Sequence, residues 1–217
     1  MAGERPEVII NCAVSADGRL ALADGRQVRI SSEEDMERVH RLRNSLDAVL
    51  VGIGTVLADD PKLTVKEKYI SGEVRQPIRI VLDSHGRTPS DAMVLNGAAR
   101  TIIFTVESCS VEFGSAEVVR CGSERVDIPC LLERLYQMGI RRLMVEGGSR
   151  VIGSFVKDGL FDELDIYYGS MLLGGAGPAL TAGFSSFSED DAVPLELMSV
   201  ERLGDGVLHR YRPARRG

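Results

Sequence analysis

Three glycine-bearing stretches in this 217-residue chain have the composition of a phosphate cradle: Gly52-Ile53-Gly54-Thr55, Glu146-Gly147-Gly148-Ser149 and Gly174-Gly175-Ala176-Gly177. Each follows a run that reads as a strand, and two of them open what read as helices. In an open α/β sheet, ligands bind beyond the carboxyl ends of the strands. Missing side chains there let backbone N–H groups approach phosphate oxygens, and a helix N-terminus adds partial positive charge. One such turn alone reads as a tight turn; three together favour a nucleotide-type ligand. Spacing argues against two standard forms of it. Leu57 stands where G-x-G-x-x-G needs its third glycine, and no G-x-x-x-x-G-K-[ST] occurs. Cys12, Cys109, Cys121 and Cys130 form no C-x-x-C pair, and His40, His85 and His209 lie far apart, so neither zinc nor disulfide chemistry is signalled.

The elements that must carry these turns can be read from apolar periodicity. Strands are expected at Val8 to Val14, Ala48 to Val51, Pro77 to Asp83, Thr101 to Val106, Glu117 to Cys121, Arg141 to Val145 and Glu163 to Met171. Ser31-Ser32-Glu33-Glu34 reads as a capping box, followed by an apolar face of Met36, Val39, Leu42 and Leu46 on a helix of about four turns. A second helix is capped by Asp127, carries Pro129 in its first turn and stops at Gly139. A third runs from Ser149 to near Gly159, and Leu195 to Arg212 reads as a hairpin turning at Gly204-Asp205-Gly206. The pattern is α/β alternation finished by an antiparallel ribbon, with no repeat or linker, which predicts one domain over residues 1–217.

Composition narrows the partners. With 44% hydrophobic and 27% charged residues the chain can bury a sizeable core, and no apolar run approaches the ~20 residues of a bilayer span. The net charge of −6 argues against an extended nucleic-acid-binding face. The basic tail of Arg210, Arg212, Arg215 and Arg216 reads as a solvated or subunit-contacting end. The start, MAGERPEVII, has two glutamates ahead of any apolar stretch and no basic n-region, so a secretory signal is not expected and the expected location is the cytoplasm.

Taken in order, SADGRLAL (15–22), SSEEDMERVHRLRNSLDAVLVGIGTVLADDPKLTV (31–65), PIRIVLDSHGRTP (77–89), LMVEGGSRVIGSFVKDGLFDELDIYY (143–168) and LLGG (172–175) resemble the pyrimidine reductases of riboflavin synthesis. The resemblance covers Val8 to Arg212. Within the family it is closer to the stand-alone archaeal and fungal layout, because the H-x-E with downstream P-C-x-x-C of a deaminase half does not occur. It implies a single-domain dihydrofolate-reductase-like α/β fold, a mostly parallel central sheet flanked by helices, and a homodimer. It also implies NADPH as hydride donor, with NADH as the alternative. The implied reaction opens a phosphorylated ribosylaminopyrimidine to an imine at C1′ and reduces ribosyl to ribityl, which asks the protein chiefly for positioning. A related oxidoreductase acting on another heterocycle, and a non-catalytic NADPH-binding domain, are the alternatives; fold alone does not set substrate.

The resemblance also implies residue roles. Thr55 and Asp59 fall at cofactor positions, with Asp59 near the nicotinamide, where a carboxylate would stabilise imine charge or relay a proton. Asp83, Ser84, His85 and Gly86 match a second cofactor stretch, Val126 a further contact, and Gly147, Gly148, Ser149, Arg150 and Val151 the diphosphate loop. Glu146 matches a catalytic and substrate-contacting position. Gln27, Arg43, Leu63 and Lys66 match substrate positions, Arg43 and Lys66 at the phosphate end, with Lys66 a point charge where the bacterial pattern has a planar arginine. No metal is implied. Read without the resemblance, Asp59 or Asp60 organises a turn before Pro61, Arg43 is a helix C-terminal charge, and Lys66 is one of several loop lysines.

Overall fold

The computed structural model describes residues 4–186 and 188–214. In chain order the elements are β1 (Glu7–Ser15), α1 (Glu33–Ser45), β2 (Ala48–Gly52), α2 (Ile53–Asp59), β3 (Ile78–Leu82), β4 (Thr101–Thr105), β5 (Glu117–Arg120), α3 (Ile128–Gln137), β6 (Arg142–Gly147), α4 (Ser149–Lys157), β7 (Glu163–Gly169), β8 (Leu195–Leu203) and β9 (Gly206–Pro213). The chain divides into two compact units, one of residues 4–7 and 39–148, the other of residues 8–38 and 149–214. Residues 33–38 of α1 belong to the second unit and residues 39–45 to the first.

The first unit is a parallel sheet in the order β5-β4-β3-β2-β6. β2 and β4 are buried along their whole length, and β3 along all but its first residue, as runs of Val, Ile and Leu in a parallel sheet should be. The Asp47 carboxylate accepts the N–H groups of Arg141 and Arg142 at 2.8 and 2.9 Å, which fixes the entry of β6 beside β2. Asp127 caps α3 through the Cys130 N–H at 2.7 Å, and Gly139 at φ +87° follows its end, as the sequence predicts. Arg79 on β3 is fully buried, with no carboxylate of the described residues paired to it. Its guanidinium is held by Thr101 Oγ1, Asn96 Oδ1 and the carbonyls of Ala99, Met93 and Lys62, and burial pulls its pKa down.

One expectation fails here. Cys121 and Cys130 form a disulfide, Cα–Cα 6.0 Å, that ties the end of β5 to the first turn of α3. Nothing in a nine-residue separation announces it, because the pairing depends on where a strand ends and a helix begins in space.

The second unit pairs β1 with β7 in parallel, then adds β9 and β8 antiparallel in the order β1-β7-β9-β8. The ribbon expected from Leu195 to Arg212 is present, and Arg210 and Arg212 reach Glu201 and Glu196 across it. Arg215 and Arg216 lie outside the described residues. The cap of α1 is shifted by one from the expected box: the Asp35 N–H donates to Ser32 Oγ at 3.1 Å, and the Asp35 carboxylate turns to Arg38. Arg38 also donates to Asp165 at 3.0 Å and to Asn11 at 2.6 Å, so this end of the helix buries a charged network rather than a purely apolar stripe. Burial pushes the Asp165 carboxyl up to about 7 despite Arg38. The same burial, helped by Asp165, pushes the Cys12 thiol up to about 12, which makes it unreactive.

Candidate active site

All five strands of the first unit are parallel, so their carboxyl ends share one edge. The chain steps from β2 through β3 and β4 to β5 in one direction, then returns to lay β6 on the other side of β2. The order therefore reverses between β2 and β6, the position at which open α/β sheets bind ligands. Gly52 to Thr55 follow β2 at this point, and Glu146 to Gly148 end β6.

β6 reaches the edge through a bulge. Leu50 lies opposite Val145 and Val51 opposite Gly147, which leaves Glu146 as the extra residue. A bulge re-aims a side chain, and here the Glu146 carboxylate meets Arg43 from the last turn of α1. Arg43 Nε and Nη2 donate to Oε1 and Oε2 at 2.5 Å each, with side-chain exposures of only 15% and 10%. Nη1 donates to the Thr64 carbonyl at 3.1 Å. Burial disfavours the charged guanidinium, but the charge and hydrogen bonds of Glu146 outweigh it and the Arg43 pKa is raised. Two residues assigned to substrate by sequence are thus each other's partners, and Arg43 also anchors the segment that carries Leu63 and Lys66.

Gly147 is buried, and a Cβ there would stand 3.5 Å from Thr55 Oγ1, so the end of β6 and the first turn of α2 face each other directly. The next residue, Gly148, holds a positive φ of +85°. α2 opens at Gly52 without a side-chain cap, and a Cβ on Gly54 would meet nothing within 4 Å. Asp59 ends α2 and is half-buried. Its neighbour Asp60 organises the following turn, at φ +40° with its carboxylate accepting the Met93 N–H at 2.6 Å. Leu63, 3% exposed, is held at φ +51°, a conformation that costs a leucine about 1–2 kcal/mol. Lys66 is exposed.

Along the same edge, Asp83 is fully buried at the end of β3. One carboxylate oxygen accepts the N–H and hydroxyl of Thr88 at 2.7 and 2.8 Å; the other is buried without a partner among the described residues. Ser84 Oγ accepts the Val126 N–H at 3.1 Å, which joins two of the expected cofactor stretches. Gly86 sits at φ +68°, where a Cβ would fall 2.7 Å from Val111, and His85 is exposed at the tip of this turn.

Sequence reasoning passed over His40. It lies one turn before Arg43, is 1% exposed, stacks on Tyr69 at 4.8 Å and accepts the Lys66 N–H at Nδ1, 3.3 Å away. Burial, together with the positive charges of Arg43 and Lys66, pushes its pKa down to about 4. The one signal available was its spacing of three from Arg43 on a helix.

The remaining expected residues belong to the second unit. Ser149 begins α4, and its carbonyl accepts the Ala182 N–H at 3.0 Å; Arg150 is exposed and Val151 half-buried. Gln27 is exposed, and Arg29 pairs with Glu33 at 2.6 Å on the rim of a cavity of about 660 Å³ that Met171 and Arg202 also line. The third glycine stretch does not read as a cradle. Asp17 takes the N–H groups of Leu173 and Gly174 at 3.1 and 2.7 Å, and a Cβ on Gly177 would clash with the Ala21 carbonyl. The hydrogen bond from Ser15, followed by these N–H groups, holds the Asp17 carboxyl down at about 2. Among the described residues, no group of three or more His, Cys, Asp or Glu could hold a metal ion, and no helix is long and apolar enough to cross a membrane.

Residues 6–209 match the family described as the RibD C-terminal domain. The chain belongs to that family. The 2,5-diamino-6-ribosylamino-4(3H)-pyrimidinone 5′-phosphate reductase of Methanothermobacter thermautotrophicus is 44% identical over 213 residues, covering 95% of this chain and 98% of that protein. The reductase of the same name from Archaeoglobus fulgidus is 41% identical over 213 residues, covering 93% and 95%. Among solved structures, the Thermotoga maritima diaminohydroxyphosphoribosylaminopyrimidine deaminase/5-amino-6-(5-phosphoribosylamino)uracil reductase superposes with a TM-score of 0.82 at 30% identity. That match covers 97% of this chain and 57% of the other, so the chain spans a little over half of the deaminase/reductase. The RibD C-terminal domain fold is the mostly parallel, dihydrofolate-reductase-like α/β arrangement expected from the sequence.

Proposed function

We propose that this chain reduces the ribosyl group of 2,5-diamino-6-ribosylamino-4(3H)-pyrimidinone 5′-phosphate to ribityl, with NADPH as hydride donor. The observation that carries the reading is the switch point of the first unit, where Glu146 is bulged out of β6 beside Gly147 and Thr55. Relatives of that name, aligned over nearly their full length, support the substrate.

The residues present fit a nicotinamide nucleotide. The first turn of α2 lacks a side-chain cap, Gly54 leaves its approach open, and Asp83 keeps a buried acceptor without a partner among the described residues. In the first unit, Thr55, Asp83, Ser84, His85, Gly86, Val126, Gly147 and Gly148 would hold it. When bound, the nicotinamide supplies the hydride. Asp59 stabilises positive charge at the substrate imine. Glu146, fixed bidentately by Arg43, presents a carboxylate whose position is set before substrate arrives, which removes reorganisation from the reacting complex. Leu63 and Lys66 meet the substrate, Lys66 at its phosphate end.

The protein acts in the cytoplasm as a homodimer. Support for the dimer comes from β8, an edge strand that exposes Leu195, Leu197 and Val200 on one face and Met198 at its bulge, a surface that soluble monomers usually protect. Oxidation of NADPH with the ribosylaminopyrimidine phosphate, measured against NADH and against dihydrofolate, tests the activity. Turnover of dihydrofolate alone, or NADPH binding without oxidation, would replace this reading.

A further inference from the structure

We infer that His40 is a positioning residue for the substrate side of the site, acting through the backbone of Lys66 and the ring of Tyr69. The inference rests on the reading of Lys66 as a substrate residue. His40 grips residues 66–69 at both ends. Its Nδ1 accepts the Lys66 N–H at 3.3 Å, and its ring lies 4.8 Å from that of Tyr69 at an interplanar angle of 14°. Between these contacts the chain makes one 3₁₀ turn, closed by the Tyr69 N–H on the Lys66 carbonyl at 3.1 Å. Lys68 covers the Tyr69 ring, its Nζ 4.2 Å from the centroid.

The tautomer follows from the donor. A backbone N–H pointing at Nδ1 makes that nitrogen the acceptor, so the proton of the neutral ring sits on Nε2. That N–H is buried and has no partner among the described residues. A leucine would fill the same space without the Nε2 donor, but it would leave the Lys66 N–H without its acceptor, so what the histidine adds over an apolar side chain is the grip on Lys66. That grip depends on an acceptor at the δ position. The ring stays neutral at working pH because burial, and then Arg43 and Lys66, oppose its protonation. His40 and Arg43 are thus successive turns of one helix with matched tasks. Arg43 holds the Thr64 carbonyl and Glu146, and His40 holds the Lys66 N–H.

The test is steady-state kinetics on the full chain, with melting curves, for His40→Leu, His40→Asn and His40→Gln, and with Lys66→Ala as a control. His40→Leu removes one neutral hydrogen bond from the segment, raises the substrate KM about tenfold and leaves the NADPH KM unchanged. His40→Asn places an amide oxygen at the δ position and recovers most of the loss. His40→Gln, with its polar atoms at the ε position, does not, and this pair carries the same contrast should the leucine variant not fold. An unchanged substrate KM in His40→Leu, or an Asn variant no better than Gln, overturns the inference. If Lys66→Ala raises the substrate KM while His40→Leu does not, only the His40 inference fails. If Lys66→Ala leaves it unchanged, the substrate reading of Lys66 fails with it.

Discussion

Removing Arg43 should cost far more than removing a surface charge, and the cost should vanish in large part when Glu146 is removed with it. The two side chains retain 15% and 10% exposure, and both guanidinium nitrogens of the fork are on the carboxylate. Breaking such a pair from one side leaves an uncompensated charge in a poorly solvated place, a loss of about 3–5 kcal/mol. The residual exposure puts this pair toward the lower end, about 3 kcal/mol for Arg43→Ala. For a chain of this length that is a fall of roughly 6–12 °C in Tm. Glu146→Ala should cost a similar amount, because Arg43 keeps only the Thr64 carbonyl. The double variant strands neither charge, so the coupling between the sites should reach about 2–3 kcal/mol, and the pair should be no less stable than the worse single. Urea denaturation of the four proteins, followed by fluorescence and circular dichroism together, measures the cycle. Single losses that add to within about 0.5 kcal/mol would show that the bidentate contact carries no energy of its own, and the preset carboxylate would go with it.

Gly147→Ala should be tolerated, since its Cβ meets Thr55 at an ordinary 3.5 Å, whereas Gly147→Val should abolish NADPH binding. Fluorescence titration checks this, and a folded valine variant with native affinity contradicts the loop assignment. Asp59→Asn should lower turnover by more than it weakens NADPH binding, because its role is in charge stabilisation during reduction; equal losses would make it a cofactor-positioning group. Asp165→Asn should raise stability at pH 8. The folded carboxyl titrates at about 7, above the ~3.9 of an unfolded aspartate, so its contribution is full below pH 4 and is lost as pH rises toward 7. A gap between variant and parent that does not widen from pH 4 to pH 7 refutes that sign.

The strands and helices at the site were legible for a simple reason. β2 and β4 are buried on both faces and β3 nearly so, so their sequences are unbroken apolar runs, and α3 carries its cap and its stop in Asp127 and Gly139. What was illegible depends on register and on long-range contact. Glu146 reads as a residue following a strand, and only the pairing of Val51 with Gly147 reveals that it is the extra residue of a bulge. The disulfide, the Arg43 contact and the Lys66 contact of His40 join positions that no period links.

The segment from Asp60 to Lys66 shows why local rules fail at this place in particular. Asp60 and Leu63 both hold positive φ, which neither residue type prefers, and Leu63 does so while buried. Strain of this kind survives only where surrounding contacts over-determine the backbone. They do: Met93 binds Asp60, Arg43 binds the Thr64 carbonyl, Gln76 takes both the N–H and the carbonyl of Val65 at 2.8 and 3.0 Å, and His40 takes the N–H of Lys66. Three side chains and one backbone N–H from outside the segment fix four of its seven residues, more restraint than an ordinary connection between a helix and a strand requires. A backbone held against its own preferences by that many partners is one whose exact course matters, and the residues it presents, Leu63 and Lys66, are those the substrate reading needs.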